Sequence, residues 1–348
     1  MRRSYSFLTL LVCVSLFMPV MAFGCQLKTE SDAAKGERVS GLVEKLKTGD
    51  RNVRIEAAKE LAKMGPAAKD AVPALVAALK EEDPERSLHI EVSNALEKIG
   101  AAAVPALIEA LKDREAYTRR RAAMILGEIG PPAKDAVPAL VAALKDESLW
   151  VRAYAARALG GGFFTVLPWD VLGSQLVFIT RAETRGGIGP EARAAIPALI
   201  EALEDHNEFV RWHAAQAIGG FGSDAKAAIP TLRRMLEGEK PPTSLHAASA
   251  LAQLGETSLG MTTLIGMIKY LAPGQYPGPF EAAQQKNREV RHLAVDMLGD
   301  LGPAAKDAVP ALIEAANQKL ATDNHFLAAA QEEIRKAASE ALSKIRAK

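Results

Sequence analysis

One short apolar segment, Ala-Val-Pro-Ala-Leu, recurs along the 348-residue chain and constrains its fold more than any other feature. It stands at residues 71–75, 103–107, 136–140 and 308–312, with close variants at residues 195–199 and 228–232. Equivalent places without the proline begin at Ser40 and Thr262, so the pattern predicts about eight units. Most units are 32 or 33 residues apart, which is typical of stacked supersecondary repeats. Two intervals are longer, and we expect insertions there, at about residues 161–189 and 270–287.

Each unit is predicted to contain two helices. After Pro73, the apolar residues Leu75, Val76 and Leu79 share one helical face. A second, alanine-rich helix follows a Leu-Lys-Asp turn and a Val-Arg pair, and it ends at a glycine. No run of alternating apolar and polar residues is long enough for a sheet. Since one helix pair cannot bury its apolar face alone, we predict an all-α solenoid over residues 40–348.

These segments resemble HEAT repeats, in particular the short bacterial repeats of phycobilisome bilin lyases. The resemblance rests on Val-Pro-Ala-Leu, Leu-Lys-Asp, Val-Arg and Leu-Gly-x-Ile-Gly, and it covers Ser40 to the C-terminus. His89 and Ser244 stand in place of the repeat arginine, and Gly238 in place of the aspartate, so we expect interruptions near units two and six. The resemblance implies an aspartate–arginine ladder between adjacent units, formed by Asp113, Arg119, Asp146, Arg152, Asp205 and Arg211.

The N-terminal residues carry a separate signal. Arg2 and Arg3 precede an apolar run, and small residues follow at Ala22 and Gly24, which is the order of a secretory signal peptide over residues 1–24. Its removal takes two of the 43 basic residues and none of the 42 acidic residues, leaving a formal charge of −1. A nucleic-acid-binding solenoid would carry a net basic surface, so we expect no such partner. We predict export to the periplasm or cell envelope.

Cys25 directly follows this segment and resembles a bacterial lipoprotein site, in which the cysteine is lipidated. The other cysteine, Cys13, lies inside the predicted signal peptide, so Cys25 has no disulfide partner in the mature chain. The residues before Cys25 depart from the usual pattern of the site. Ordinary cleavage and an uncleaved anchor over residues 7–23 are the alternatives. Residues 25–39 are polar, and we expect them to form a flexible tether.

Motifs for catalysis, metal binding or cofactor binding are missing from the sequence. It contains no His-Glu-x-x-His, Cys-x-x-Cys, P-loop or Gly-x-Ser-x-Gly pattern. Deoxyhypusine hydroxylase is a HEAT-like enzyme that binds two irons through His-Glu pairs, and none of the six histidines here precedes a glutamate. The shared repeat alone does not indicate bilin lyase activity. We therefore predict a protein that is not an enzyme and that needs no metal or cofactor.

Large aromatic side chains concentrate in the centre of the chain. When the second helices are aligned on Val-Arg, aromatic and histidine residues fall one or two places after the arginine, where unit one has Ile55 and Glu56. The HEAT resemblance implies that second helices line the concave side. The alternative is that the rings pack against neighbouring helices and the histidines are ordinary surface residues. We predict that a protein partner binds Trp150, Tyr154, Trp212, His213, His246 and His292.

The predicted function is a non-catalytic protein-interaction scaffold of the cell envelope that uses its concave surface. The alternative is a lyase-like or other accessory enzyme that binds a small ligand in the central groove. A closed pocket between Tyr154, Trp212 and the first insertion would favour the ligand, whereas an open groove would favour a protein. The second insertion contains Ala-Pro-Gly-Gln-Tyr-Pro-Gly-Pro, which is typical of a turn-rich loop.

Overall fold

The computed structural model describes residues 32–81, 87–160, 162–163, 185–238, 243–270, 280–317 and 325–346. The predicted signal peptide, Cys25 and most of the first insertion lie outside these ranges, as do residues 271–279 of the second insertion.

Helices come in pairs along the described chain, and the pairs number eight, called units one to eight. The first helices are α1 Asp32–Thr48, α3 Val72–Leu79, α5 Val104–Ala110, α7 Val137–Ala143, α9 Ile196–Ala202, α11 Ile229–Gly238, α13 Thr257–Tyr270 and α15 Val309–Asn317. The second helices are α2 Arg51–Met64, α4 Ser87–Ile99, α6 Ala116–Ile129, α8 Leu149–Leu159, α10 Glu208–Gly220, α12 Thr243–Gln253, α14 Phe280–Asp300 and α16 His325–Arg346. The predicted all-α solenoid of about eight units is confirmed.

The connection from a second helix to the next first helix is a short 3₁₀ segment. Gly65 and Gly130 adopt positive φ angles of 54° and 73°, a conformation that favours glycine. Pro66 and Pro131 follow in the first turn of the segments, where a missing N–H costs no hydrogen bond. The repeated Gly-Pro pair therefore ends one helix and redirects the chain into the next unit.

The second helices stack in sequence order from α2 to α12, each against the next. Small residues mark the closest approach between them. A Cβ atom on Gly127 would lie 3.0 Å from the Cα atom of Ala158, and one on Gly160 would lie 2.5 Å from the Cα atom of Ala217. The glycine of the repeat and the alanine of the next unit therefore set the spacing between neighbouring second helices.

The stacking changes after unit six. Helix α13 packs directly against α12, and a Cβ atom on Gly260 would lie 2.3 Å from the carbonyl oxygen of Ala248. Every residue from Thr243 to Ala252 in α12 is buried. Ala247 and Leu251 belong to the core of units one to six, whereas Leu245 and Ala248 belong to the core of the later units. Helix α12 therefore joins two apolar cores.

Two predicted boundaries need correction. Helix α1 begins at Asp32, so residues 32–39 are helical and are not part of a flexible tether. Val39, Leu42 and Leu46 are buried at helical spacing, and their packing stabilises a helix whose other side chains are mostly polar. Helix α14 begins at Phe280, so residues 280–287 of the second insertion are helical and do not belong to a turn-rich loop.

The first insertion is attached to the solenoid by its base. Strands β1 Gly162–Phe163 and β2 Arg185–Gly186 pair antiparallel, a contact too short to leave an alternating pattern in the sequence. The N–H of Gly187 donates to the carbonyl oxygen of Gly127 at 2.7 Å, and the N–H of Ile188 donates to that of Ala158 at 2.8 Å. These bonds place the base at the C-terminal ends of α6 and α8.

Candidate functional site

Arginines and aspartates of adjacent units form a ladder through units three, four and five. Arg119 donates from Nε and Nη2 to the two carboxylate oxygens of Asp146, at 2.7 and 2.8 Å. Arg152 donates in the same way to Asp205, at 2.7 and 3.1 Å. Each arginine also donates to two carbonyl oxygens of its own unit, so one guanidinium group connects two backbone turns. The ladder is a structural element.

The pKa values of the ladder aspartates depend on their burial and on their hydrogen bonds. Burial alone would raise the pKa of Asp146, but the hydrogen bonds from Arg119 and from the N–H of Ser148 outweigh it and hold this pKa below its ordinary value. The pKa of Asp205 is lowered in the same manner by Arg152 and the N–H of Asn207. Both carboxylates therefore stay ionised at neutral pH.

The ladder is interrupted where the sequence departs from the repeat. No arginine stands at the repeat position of unit two, and the carboxylate of Asp113 binds Nζ of Lys80 at 2.7 Å. His89, at the arginine position, instead lies buried beside a tyrosine of unit three. Arg211 donates to the carbonyl oxygen of its own unit's aspartate at 2.8 Å, and the next unit offers Gly238 in place of a carboxylate.

Five of the six predicted contact residues come together around Phe209, a residue of the first turn of α10 that the alignment on Val-Arg did not single out. Trp212 stacks between His213 and His246, with ring centroids 5.1 and 4.7 Å away. Phe209 meets Trp150 and Trp212 edge to face at 5.2 and 4.9 Å. We call this group the aromatic cluster; its members are Trp150, Tyr154, Phe209, Trp212, His213 and His246.

Three members of the aromatic cluster are not available to a partner. Trp212, His213 and His246 are only 2%, 7% and 1% exposed. Burial lowers the pKa of His213 to about 3 and the pKa of His246 well below its ordinary value, because the charged form loses its hydration. The prediction that these three residues contact a partner is corrected: they connect units five and six, as the alternative of ring packing between helices proposed.

The other predicted contact residues have different environments. Trp150 and Tyr154 are half-buried at the edge of the aromatic cluster, and Tyr154 stacks on His213 at 6.5 Å. His292 lies apart from the cluster on α14, with its side chain 40% exposed and its Nδ1 atom 3.0 Å from a carboxylate oxygen of Asp296. Trp150 and Tyr154 therefore remain candidates for contact with a partner, and His292 does not share their surface.

At the first two positions after the Val-Arg arginine, side chains are exposed or half-buried in units one and two and buried in units five and six. At the first position after the Val-Arg arginine, Ile90 of unit two is 60% exposed and Trp212 of unit five is 2% exposed. At the second position, Glu56 of unit one is exposed and His246 of unit six is buried. We use the name second-helix face for the first, second, fifth and ninth positions after this arginine, which in unit one are Ile55, Glu56, Lys59 and Lys63. At least one of its first two positions is accessible in each of units one to four.

Tyr117 organises the second-helix face at units two and three. Its hydroxyl group accepts a hydrogen bond from Nε of Arg121 at 2.7 Å and lies 2.9 Å from Nδ1 of His89. The guanidinium carbons of Arg120 and Arg121 lie 5.0 and 4.9 Å from the centre of its ring. These distances allow a cation–π interaction with both arginines. The alignment on Val-Arg missed Tyr117 because it stands two places before the arginine.

Glu128 is the acidic residue of this face in unit three. Burial raises the pKa of Glu128 to about 7, and Glu97 adds to this effect, while Arg157, Arg121 and Lys98 oppose it. Its carboxyl group therefore exchanges a proton near neutral pH, unlike the ladder aspartates.

A cavity of about 460 Å³ opens on the turns of units four and five. Ladder residues line it, including Asp146, Arg152 and Asp205, and neither Tyr154 nor Trp212 does. Within the described ranges, no cluster of three or more histidine, cysteine, aspartate or glutamate side chains could bind a metal ion. No helix in the described part of the chain combines the length and apolar character that crossing a bilayer requires.

A family model described as HEAT repeats matches residues 39–113, 104–162, 180–252 and 196–268. These matches cover more than half of the chain, and they fall on the stacked helix pairs described above. The chain therefore belongs to the HEAT-repeat family, as its sequence predicted. A comparison with curated proteins found no match.

Solved structures with a similar fold include three helical-repeat proteins. Importin β is 13% identical with a TM-score of 0.51, over 92% of this chain and 45% of that chain. YibA of E. coli is 17% identical with a TM-score of 0.45, over 91% of this chain and 96% of that chain. In the CpcE–CpcF complex of phycocyanin lyase from Nostoc sp. PCC7120, the matched chain is 20% identical with a TM-score of 0.36, over 91% of this chain and 96% of its own length. At 13% identity the likeness to importin β shows the fold alone.

Proposed function

We propose that this protein is a non-catalytic scaffold that binds a protein partner on the second-helix face of units one to four. HEAT and armadillo solenoids commonly mediate protein–protein interaction, and their extended inner surfaces suit elongated partners. The observation that carries the proposal is the exposure of apolar and aromatic side chains on this face. Ile90 is 60% exposed and Tyr154 is half-buried, whereas the first two positions of the face are buried in units five and six.

The alternative of a small-ligand enzyme has less support from the described residues. A catalytic site needs polar side chains that are free to act on a substrate. Arg119 and Arg152 are committed to the carboxylates of the ladder. The buried His213 is held neutral among aromatic rings. The cavity at the turns of units four and five opens between ladder pairs that already hold one another.

The proposal includes export to the cell envelope, which rests on residues 1–24 and on Cys25 of the sequence. Lipidation of Cys25 would attach the scaffold to a membrane, and an uncleaved N-terminal segment would do so by another route. Labelling with radioactive palmitate, in the parent chain and in Cys25→Ser, distinguishes the two. Label that persists in Cys25→Ser would rule out lipidation at this cysteine.

Two exposed isoleucines provide a matched test of the binding face. Ile90 lies on the second-helix face of unit two, and Ile313 is 38% exposed on α15, a first helix. We expect Ile90→Asp to reduce recovery of the partner about tenfold or more, because it places an unpaired charge in the centre of an interface. Ile313→Asp should leave recovery unchanged. The measurement is quantitative affinity purification from envelope and soluble extracts.

Circular dichroism and thermal unfolding of both variants control for folding. Equal recovery with all three chains, or equal loss with both variants, would contradict a partner site on the second-helix face. A partner found with the parent chain in the soluble extract alone would contradict the envelope location.

A further inference from the structure

Three arginine side chains are buried in the described part of the chain, and one of them differs from the other two in its partners. Arg119, Arg121 and Arg152 are 7%, 6% and 6% exposed. Arg119 and Arg152 each bind a ladder carboxylate through two nitrogens. Arg121 donates to hydroxyl groups instead, from Nε to Tyr117 at 2.7 Å and from Nη1 to Ser93 at 3.3 Å. Within the described residues, no carboxylate is hydrogen-bonded to Arg121.

The surroundings of Arg121 balance its charge incompletely. A buried guanidinium group without an ion pair is unfavourable, because it has lost hydration and gained no opposite charge in return. The ring centre of Tyr117 lies 4.9 Å from the guanidinium carbon and adds a cation–π attraction. Glu128, seven residues further along α6, acts on Arg121 through space. Burial raises the pKa of Glu128 to about 7, so its carboxyl group is only partly ionised at neutral pH.

One nitrogen of Arg121 remains open to an acceptor. Nη2 makes no hydrogen bond to any described residue, and it is not one of the enclosed side-chain nitrogens, so it reaches solvent. Met124 lies one turn along the same helix and is half-buried, and Ile90 is 60% exposed on the second-helix face of unit two. Apolar neighbours lower the local dielectric constant, which strengthens the attraction between Nη2 and an acidic group that approaches it.

The charges of units one and two favour a single acidic group over a polyanion. On or beside the same face these charges pair within one helix, at N–O distances between 2.6 and 3.0 Å. Such pairs attract neither sign strongly at a distance, so the face has no continuous basic surface through these units. The pairs are Lys59–Glu56, Lys63–Glu60 and Lys98–Glu97.

Building on the proposed function, we propose that Arg121 binds one carboxylate side chain of the protein partner, beside apolar partner residues that contact Ile90 and Met124. The single charge of the guanidinium group matches that of one carboxylate. Tyr117 and Ser93 hold Nε and Nη1, which leaves the two N–H groups of Nη2 for the partner. Binding then supplies the ion pair that the described chain does not give to Arg121.

The first test compares Arg121→Met with Arg119→Met by urea unfolding. An arginine without an ion pair contributes little to the folded state, so we expect Arg121→Met to leave the unfolding midpoint unchanged or to raise it. Arg119→Met should lower the midpoint clearly, because it leaves the carboxylate of Asp146 without its partner. A loss in Arg121→Met as large as that in Arg119→Met would show a structural role for Arg121 and would overturn the inference.

The second test uses the full chain and a short fluorescein-labelled peptide with one glutamate among leucine and alanine residues, measured by fluorescence anisotropy. A peptide with glutamine in place of the glutamate is the control probe. We expect the parent chain to bind the glutamate peptide about tenfold more tightly than the glutamine peptide. Arg121→Met should bind the two peptides equally. Arg120→Met removes the adjacent charge on the same helix and should keep the preference.

Equal binding of the two peptides by the parent chain, or the same loss of preference in Arg120→Met, would overturn the inference. Tight binding of a single-stranded oligonucleotide, lost in Arg121→Met, would overturn the assignment to a protein carboxylate. The scaffold proposal is tested separately by Ile90→Asp. If that variant loses the partner while Arg121→Met recovers it unchanged, the scaffold stands and only the carboxylate site falls.

Discussion

His213 and His246 stabilise the junction of units five and six only as neutral rings. Both are buried in the aromatic cluster, and within the described residues neither ring nitrogen of His246 has a hydrogen-bond partner. A proton on either ring would place a charge where no described carboxylate can balance it. The unfolded chain has no such penalty, so it binds protons first as the pH falls below about 6.5.

This difference predicts a loss of stability in mild acid. A histidine whose pKa is lowered in the folded state contributes its full stability above the pKa of the unfolded chain, and this contribution is lost as the pH falls. For a ring that stays neutral in the folded state, the free energy of unfolding falls by about 2 kcal/mol at pH 5. Glu128, with a raised pKa, works in the opposite direction between pH 7 and 4.5. We therefore expect His246→Phe to show a smaller stability loss between pH 8 and pH 5 than the parent chain.

Urea unfolding at both pH values measures the effect. His292→Phe is the matched control, because its parent side chain is 40% exposed beside Asp296. An identical pH dependence in the parent chain and in His246→Phe would contradict the assignment of His246 as a buried neutral residue.

At the residue scale, the sequence predicted the place of each side chain along its helix better than it predicted how exposed that side chain is. The register on Val-Arg placed Glu56, Tyr154 and His246 at equivalent positions of their units. The structure exposes the first, half-buries the second and buries the third. Burial at this position depends on how closely the next second helix approaches, a distance set by residues of another unit. The period of the repeat therefore cannot distinguish a contact between units from a contact with a partner.

At the scale of the secondary-structure elements, the close approach of neighbouring second helices determines how the units pack. Gly160 has φ −73° and ψ 155°, angles that alanine adopts without strain, so its requirement for glycine is steric. A Cβ atom there would stand 2.5 Å from the Cα atom of Ala217 in the next unit's second helix. Gly41 in α1 has no neighbour within 4 Å of its Cβ position.

The same substitution at these two glycines should have opposite effects on stability. We expect Gly160→Ala to destabilise the chain by roughly 1–3 kcal/mol, because α8 and α10 must separate. Gly41→Ala should stabilise it by up to about 1 kcal/mol, because alanine favours the interior of an exposed helix. The midpoint of urea unfolding measures both. A Gly160→Ala chain as stable as the parent would show that the two helices are not in contact at this point.

Helix boundaries were predictable where they are marked by a glycine or proline, whose backbone conformations differ from those of other residues. Gly65 and Gly130 end their second helices at the positions that the Gly-Pro pairs indicate. The start of α1 carried no such mark, since the residues before Val39 are mostly polar and small, and the helix is stabilised by packing further along. The start of α14 at Phe280 was hidden in the same way by polar sequence after a turn-rich stretch.

At the scale of the whole molecule, the described ends of the solenoid are polar. Glu37, Arg38 and Glu44 are exposed on α1, and Lys336 and Glu340 are exposed on α16. Capping units with polar outer faces allow a repeat array to end without further stacking. Among the described residues, the most exposed large apolar side chain, Ile90, lies instead on the second-helix face of unit two. The array therefore offers its sides, and not its ends, for association.

Site-specific photo-cross-linking in cells tests this central claim most directly, with one position on each face of units two, three and four. The second-helix positions are Ile90, Met124 and Tyr154, and the matched first-helix positions are Ala77, Glu109 and Ala142, all of which are exposed or half-buried. We expect all three second-helix positions to cross-link to the same partner protein and the first-helix positions to give no such product. A partner captured from the first-helix positions, or equally from both faces, would contradict the account.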